Sequence, residues 1–449
     1  MTPAAVGERR AARTTDRLGR SALSDAPVGD QRGRRAAHPA VRPAVVMTLV
    51  VVSVVPWRTD TIWSGGLDPV VVAKALLAAV GLVVALTGAS SVPAAGVERP
   101  RLGPVAVLLL LAYLGVSLVG GVAAGLTVPT AVLTVRVLMV AVTVLVVVRR
   151  TSPDLVLRSL VLATGLVGGL AAVTGLPGVL AGGRLTGAVP AVSPNEIALL
   201  LGLPLIGVVQ RLLVEPATLR RVALLLALVA GFVATDSRAA FVSLLVGVAV
   251  ALAAARRVRA VAAGALAVAL PVAVSLLVTT DVVTSVVERD GDAASVATLN
   301  SRTIAWNTVL QTDPTTWPRW IGSGLSVKQV AVVGQYWQEQ VLDSSWISSL
   351  AQAGVVGAAL LLAGVLLGAG AAARATFRVA GFPPVLPVFV FLAIRSVVES
   401  GLVDSSTAFV AFFTVVVLAE SAPRPRRAAL VVPPAFLPSR PLDLRSVSA

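Results

Sequence analysis

The chain has 449 residues, of which 56% are hydrophobic and 13% charged, and its mean hydropathy is +0.90. A soluble domain carries roughly 25% charged residues, so an ordinary water-soluble globule is excluded. The formal net charge is +15; in a soluble protein that would point to nucleic acid, but in a membrane chain it first reports topology. Cysteine is absent and His38 is the only histidine. Disulfides, thiolate metal sites, cysteine nucleophiles, histidine metal centres and Ser–His pairs are therefore excluded, and neither a metal nor a cofactor is expected.

Residues 1–43 are basic, polar and interrupted by Pro and Gly, and they read as a disordered cytoplasmic tail. This basic stretch is too long to be the charged region of a cleaved signal peptide. Apolar stretches then recur, and about 20 such residues suffice to span a bilayer. Helices are expected at about 44–56, 68–87, 103–121, 130–148, 157–180, 194–213, 219–234, 239–255 and 258–279, and again at 345–373, 383–400 and 405–421. The predicted fold is an all-α polytopic integral membrane protein of about twelve transmembrane helices. Helices 1–9 fall in 44–279 and helices 10–12 in 345–421, and a second basic tail occupies 422–449.

The connection at 280–344 is long and polar. Leu299, Thr303, Trp306 and Leu310 recur at helical spacing, as do Val327, Val330, Gly334, Trp337 and Val341. Two amphipathic helices are therefore expected, with Ile321-Gly322-Ser323-Gly324 as a turn between them. Most Lys and Arg fall in the two tails and on alternate short connections, for example Arg149-Arg150, Arg220-Arg221 and Arg256-Arg257. The positive-inside rule then places both termini in the cytoplasm and the long loop on the outer side. The expected location is the cytoplasmic (inner) membrane. Every tryptophan falls on the outer side, either as an interfacial belt or, for those crowded into 306–346, as platforms for sugar rings.

Ionisable residues inside spanning helices are costly and mark function by default. Lys74, Arg136 and Arg395 are three such cations, each within ~10 Å of the outer boundary at 1.5 Å per residue. Arg184 and Arg238 sit at the same level in short outer loops. Five cations at one height suit the diphosphate of a lipid carrier, since guanidinium forks match phosphate oxygens. Alternatively, Lys74 and Arg136 snorkel to the headgroups, and Arg395 pairs with Glu399 at i+4.

Four stretches resemble the O-antigen ligase and O-antigen polymerase family of membrane glycosyltransferases. They are Gly183-Arg184-Leu185-Thr186-Gly187 with Ser193-Pro194-Asn195-Glu196; Thr235-Asp236-Ser237-Arg238; Asn300-Ser301-Arg302-Thr303 with Trp306 and Gly322-Ser323-Gly324; and Leu342-Asp343-Ser344-Ser345-Trp346 with Leu350, Gly354 and Gly357. Arg395 and Glu399 match an Arg-x-x-x-Glu pattern near the C-terminus. The resemblance spans roughly residues 180–420. It implies transfer or polymerisation of a polyprenyl-pyrophosphate-linked glycan at the outer face during cell-surface polysaccharide synthesis. The donor would be that lipid-linked glycan, the acceptor a glycan or lipid-glycan, the surroundings membrane lipid, and no nucleic acid would take part. Arg184, Arg238 and Arg302 would bind pyrophosphate, helped by Arg136 and Arg395, without a metal; Asn195 and Glu399 would orient. Ligases of the family carry a His where the chain re-enters the membrane. Here Asp343 stands at that place, as the candidate base or as a cap of the helix that follows, so ligase and polymerase both stay open.

Two other functions fit the same composition. A different polyprenyl-phosphate-sugar glycosyltransferase would use an acid in the first outer loop, where Asp60 and Asp68 lie. A lipid-linked glycan transporter or flippase would show charges at mid-membrane and broken helices.

Overall fold

The computed structural model describes residues 41–58, 68–87, 103–255, 294–332 and 338–423, with backbone alone for 294–301. Eight helices come first: α1 (Val41–Val54), α2 (Pro69–Thr87), α3 (Pro104–Ala123), α4 (Thr127–Arg150), α5 (Pro153–Leu180), α6 (Pro194–Val214), α7 (Leu219–Ala234) and α8 (Arg238–Ala254). The long connection contributes α9 (Ala294–Leu310), the short α10 (Trp317–Ile321), and strands β1 (Gln329–Ala331) and β2 (Glu339–Val341). The chain closes with α11 (Ser345–Arg378), α12 (Leu386–Arg395) and α13 (Thr407–Ser421).

This is a helical membrane protein. Among the described residues six helices, α2 to α6 and α11, are long and apolar enough to cross a bilayer. Their outward faces carry large apolar side chains such as Leu76, Leu108 and Leu166, which are 62%, 61% and 55% exposed. Continuous apolar surface of that kind is untenable in water and expected against lipid, where the helix meets its own backbone hydrogen bonds. Leucine and valine on the lipid side leave no hydrophobic force between helices, so close packing must hold them. Small residues supply it. The place a Cβ would take at Gly202 lies 2.7 Å from the Phe391 ring, and at Gly168 it lies 2.7 Å from Leu200 Cβ. The most enclosed helices are α6 and α13; nearly every α13 residue from Thr407 to Ala419 is buried, with Phe412 against Phe389 at 5.6 Å between ring centres.

Eleven of the twelve expected apolar segments are helical here; the twelfth, 258–279, lies outside the described residues. Three expectations need correction. Of the pattern at Val327, Val330, Gly334, Trp337 and Val341, Gly334 and Trp337 lie outside the described residues, and the described part does not form a helix. It forms an antiparallel pair with Val330 opposite Gln340, because a short β-branched run on a half-buried surface suits a strand as well as a helix turn. The expected helix at 383–400 stops at Arg395, and the chain beyond it turns back through Val397 to Gly401.

The helix expected from 345 is also interrupted. Gly354 has φ 65° and ψ −163°, a conformation open essentially to glycine alone. The carbonyls freed there do not go unmet: Ala351 O accepts from the Ser323 N–H at 2.9 Å and Gln352 O from the Gly324 N–H at 3.0 Å. The predicted turn at 321–324 is therefore a strap docked backbone-to-backbone on the break. A Cβ on Gly322 would stand 2.3 Å from Ala353 N, and one on Gly120 of α3 would stand 2.4 Å from Gly322 O. Side chains fasten the same region. Tyr113 Oη donates to Gln352 Oε1 at 3.3 Å, Gln352 Nε2 donates to Val327 O at 3.0 Å, and the Thr130 and Ser326 hydroxyls meet at 3.1 Å.

Candidate functional site

Two helices begin, α6 and α11, and one ends, α12, at a common point. Ser193 caps α6 by accepting the Glu196 N–H at 3.3 Å, with Pro194 as the first helical residue, as the sequence pattern indicates. This fixes Asn195 and Glu196 on the first turn. Arg395 is the last residue of α12. Ser345, the first residue of α11, ties the chain beyond α12 to it: its N–H donates to Ser396 O and Glu399 O, its hydroxyl donates to Glu399 O at 2.9 Å, and it accepts from the Leu402 N–H at 3.3 Å. Arg302 reaches in from α9.

Glu399 is the hub. Its Oε1 accepts from Asn195 Nδ2 at 2.6 Å and from Arg302 Nη2 at 3.4 Å, and its Oε2 lies 3.8 Å from Arg395 Nη2. Arg395 Nη2 also donates to Asn195 O at 3.2 Å and lies 3.8 Å from Glu196 Oε2. Arg302 uses its Nε on Asp343 Oδ2 at 3.2 Å. Residues from 195 to 399 thus form one continuous polar network, with Arg395 only 3% exposed.

The network is not the all-cationic cluster that the sequence suggests. Two guanidiniums, Arg302 and Arg395, face three carboxylates, Asp343, Glu399 and Glu196. A buried charge is tolerated when paired and hydrogen-bonded, and each arginine here is held by acids. Asp343 is the most accessible of the three acids, with its side chain 36% exposed. Burial raises its pKa above the ordinary carboxylate value, against the pull of the Arg302 charge and hydrogen bond. It does not cap α11. Ser344 occupies the N-cap position without a side-chain cap, and Asp343, one residue earlier, is turned to Arg302 instead.

The remaining predicted residues make contacts of their own. Arg184 clasps the α7–α8 turn, donating to Thr235 O at 3.1 Å and Asp236 O at 2.9 Å; Asp236 there has φ 48°. Arg238 opens α8. Arg136 of α4 donates to Ser53 O at 2.9 Å, near the end of α1. Asp68 bonds the Val70 N–H at 2.8 Å and pairs with Arg58 at 3.5 Å, the behaviour of a helix-start residue; Asp60 lies outside the described residues. No group of three or more acidic or histidine side chains among the described residues is arranged to hold a metal ion.

Four residues make contacts although sequence reasoning assigned them no part in a site. Glu196 reads as an acidic residue of a helix's first turn, which hides its place beside Arg395. Lys328 and Asp404 form an ion pair between the β1 region and the connection before α13; an acid isolated among apolar spans was the available signal. Ser345 looks like a plain helix start, and only its four hydrogen bonds show it to be a stitch. No protein-family model matches the chain, and neither the curated proteins nor the solved structures give a match.

Proposed function

We propose that this protein is an O-antigen ligase-like membrane glycosyltransferase. It transfers or polymerises a polyprenyl-pyrophosphate-linked glycan at the outer face of the cytoplasmic membrane, with about twelve helices, both termini inside and the 280–344 loop outside. The observation that carries this reading is the Arg302–Asp343–Glu399–Arg395–Asn195 network: residues singled out by chemistry and motif in four distant stretches belong to one connected site.

In the proposed reaction an acceptor hydroxyl attacks the anomeric carbon of the donor sugar. A new C–O bond forms, the bond from that carbon to pyrophosphate breaks, and the electron pair leaves with the pyrophosphate on its lipid. The hydroxyl proton passes to Asp343, whose raised pKa suits it to receive one. Arg302, shared between Asp343 and Glu399, supplies positive charge for the leaving pyrophosphate. Glu399 and Asn195 hold Arg302 and Arg395 in place.

One observation favours transport instead, because broken helices line transporter sites and α11 is broken at Gly354. There, however, the freed carbonyls are taken by the Ser323 and Gly324 N–H groups, so the break anchors a loop rather than exposing ligands. Deleting the gene and examining the surface glycan separates the readings. Short units attached in place of long chains indicate a polymerase; intact lipid-linked polymer with none attached indicates a ligase. Lipid-linked glycan accumulating on the cytoplasmic face would indicate a flippase and overturn the proposal.

A further inference from the structure

Lys74 and Arg136 stand apart from the network and share no residue with it. Lys74 is on α2 and Arg136 on α4, helices that pack against each other and against α1. Both are buried, at 9% and 8% exposure, and both reach the end of α1, Lys74 through Trp57 and Arg136 through Ser53. The Lys74 ammonium lies 5.9 Å from the centre of the Trp57 ring. Arg136 gives one N–H to Ser53 O at 2.9 Å.

Among the described residues neither cation has a carboxylate within ion-pair distance. Asp68 acts on Lys74 only at longer range, and it is already engaged by Arg58 and the Val70 N–H. The last carbonyls of α1 offer partial negative charge, but Val52 O is taken by Trp57 Nε1 at 2.9 Å and Ser53 O by Arg136. Two like charges taken out of water side by side are strongly unfavourable unless something negative joins them. A guanidinium has five N–H donors in a fork that fits phosphate, and an ammonium adds a compact point charge. Among the described residues, the Ser53 carbonyl is the one hydrogen-bond acceptor that either cation reaches.

We infer that Lys74 and Arg136, with Trp57 beside Lys74, form a binding site for a phosphate group between α2 and α4 at the end of α1. The phosphate belongs to an anionic lipid headgroup or is free in solution. The site is separate from the network proposed for chemistry and does not depend on that reading.

The full chain is reconstituted in nanodiscs of phosphatidylcholine, with or without phosphatidylglycerol, and retained lipid is read by native mass spectrometry. The wild type retains phosphatidylglycerol over phosphatidylcholine, and Lys74→Met and Arg136→Met each lower that retention about tenfold or more, the size expected for one charged hydrogen-bond partner. In phosphatidylcholine alone Lys74→Met melts no lower than wild type, because it removes an unpaired buried charge and caps nothing; this variant carries the test should Arg136→Met fail to fold. Inorganic phosphate titrated into phosphatidylcholine discs separates the sources. A phosphate-dependent rise in Tm, lost in Lys74→Met, assigns the site to free phosphate; lipid selectivity without that rise assigns it to a headgroup. Wild type showing neither response overturns the inference, as does equal retention by wild type and Lys74→Met. Anion binding that appears only in Asp60→Asn would make Asp60, outside the described residues, the counter-ion and would also overturn it.

Discussion

Glu399→Gln tests the hub of the network. The substitution keeps the size of the side chain and removes its charge. Its new amide would present N–H donors to Arg395, or to Asn195 and Arg302, whichever way it turns. Arg395 loses a carboxylate 3.8 Å away and keeps Glu196 at the same distance. Unit charges 4 Å apart interact by roughly 4 kcal/mol at an effective dielectric of 20, and breaking a buried pair from one side costs about 3–5 kcal/mol. With Glu196 retained, the expected loss is about 2–3 kcal/mol, or roughly 30- to 140-fold in the unfolding equilibrium. Denaturant unfolding of the purified protein in micelles reads it. The double variant Arg395→Met, Glu399→Gln should lose less than the sum of the singles, by about 1 kcal/mol or more, because the Arg395–Glu399 contact that each single breaks can be lost only once. A single variant within about 0.5 kcal/mol of wild type, or strict additivity, would refute Glu399 as the hub.

Other expectations follow from separate contacts. Gly322→Ala should detach the strap from α11, since its Cβ would lie 2.3 Å from rigid backbone at φ 68°; limited proteolysis should then cut within 312–332 at least about tenfold faster, and unchanged cleavage would count against the docking. Lys328→Met should destabilise by about 1–3 kcal/mol by leaving Asp404 unpaired in a mostly buried place, and adding Asp404→Asn should restore most of that; a thermal melt of the three variants decides. If Asp343 is the base, its carboxylate form is the active one, so transfer should decline as pH falls through a pKa lying above the ordinary carboxylate value. A pH–rate profile flat across that range would remove Asp343 from the role.

The helical membrane architecture is legible in the sequence because spanning segments need long apolar runs, and 69–87, 104–123 and 194–214 have no other use for them. Boundaries were less legible where packing overrides composition. Residues 396–400, Ser-Val-Val-Glu-Ser, carry no Pro or Gly to mark a stop, yet α12 ends before them, and the Glu399 and Ser396 carbonyls are claimed by Ser345. The pairing of 329–331 with 339–341 was missed because a few apolar residues at helical spacing serve a short strand equally well. Within the site, Arg395 and Glu399 were visible as an i,i+4 pair, whereas the link from Arg302 to Glu399 joins positions 97 apart and needs the fold. The sequence suggested a set of cations at one depth; the structure distributes them. Arg302 and Arg395 join acids, Arg184 holds a turn, and Arg136 lies with Lys74.

The most direct test is turnover of a polyprenyl-pyrophosphate-linked glycan by the purified protein in detergent, with wild type, Arg302→Gln and Asp343→Asn compared at equal folded concentration. The account predicts release of polyprenyl pyrophosphate and elongation or attachment of glycan by the wild type. It predicts a loss of about 10²-fold or more in each variant, in line with removal of a general base or of a transition-state charge partner. Wild-type protein that leaves the donor intact in detergent, yet moves it across a vesicle membrane, would contradict the account.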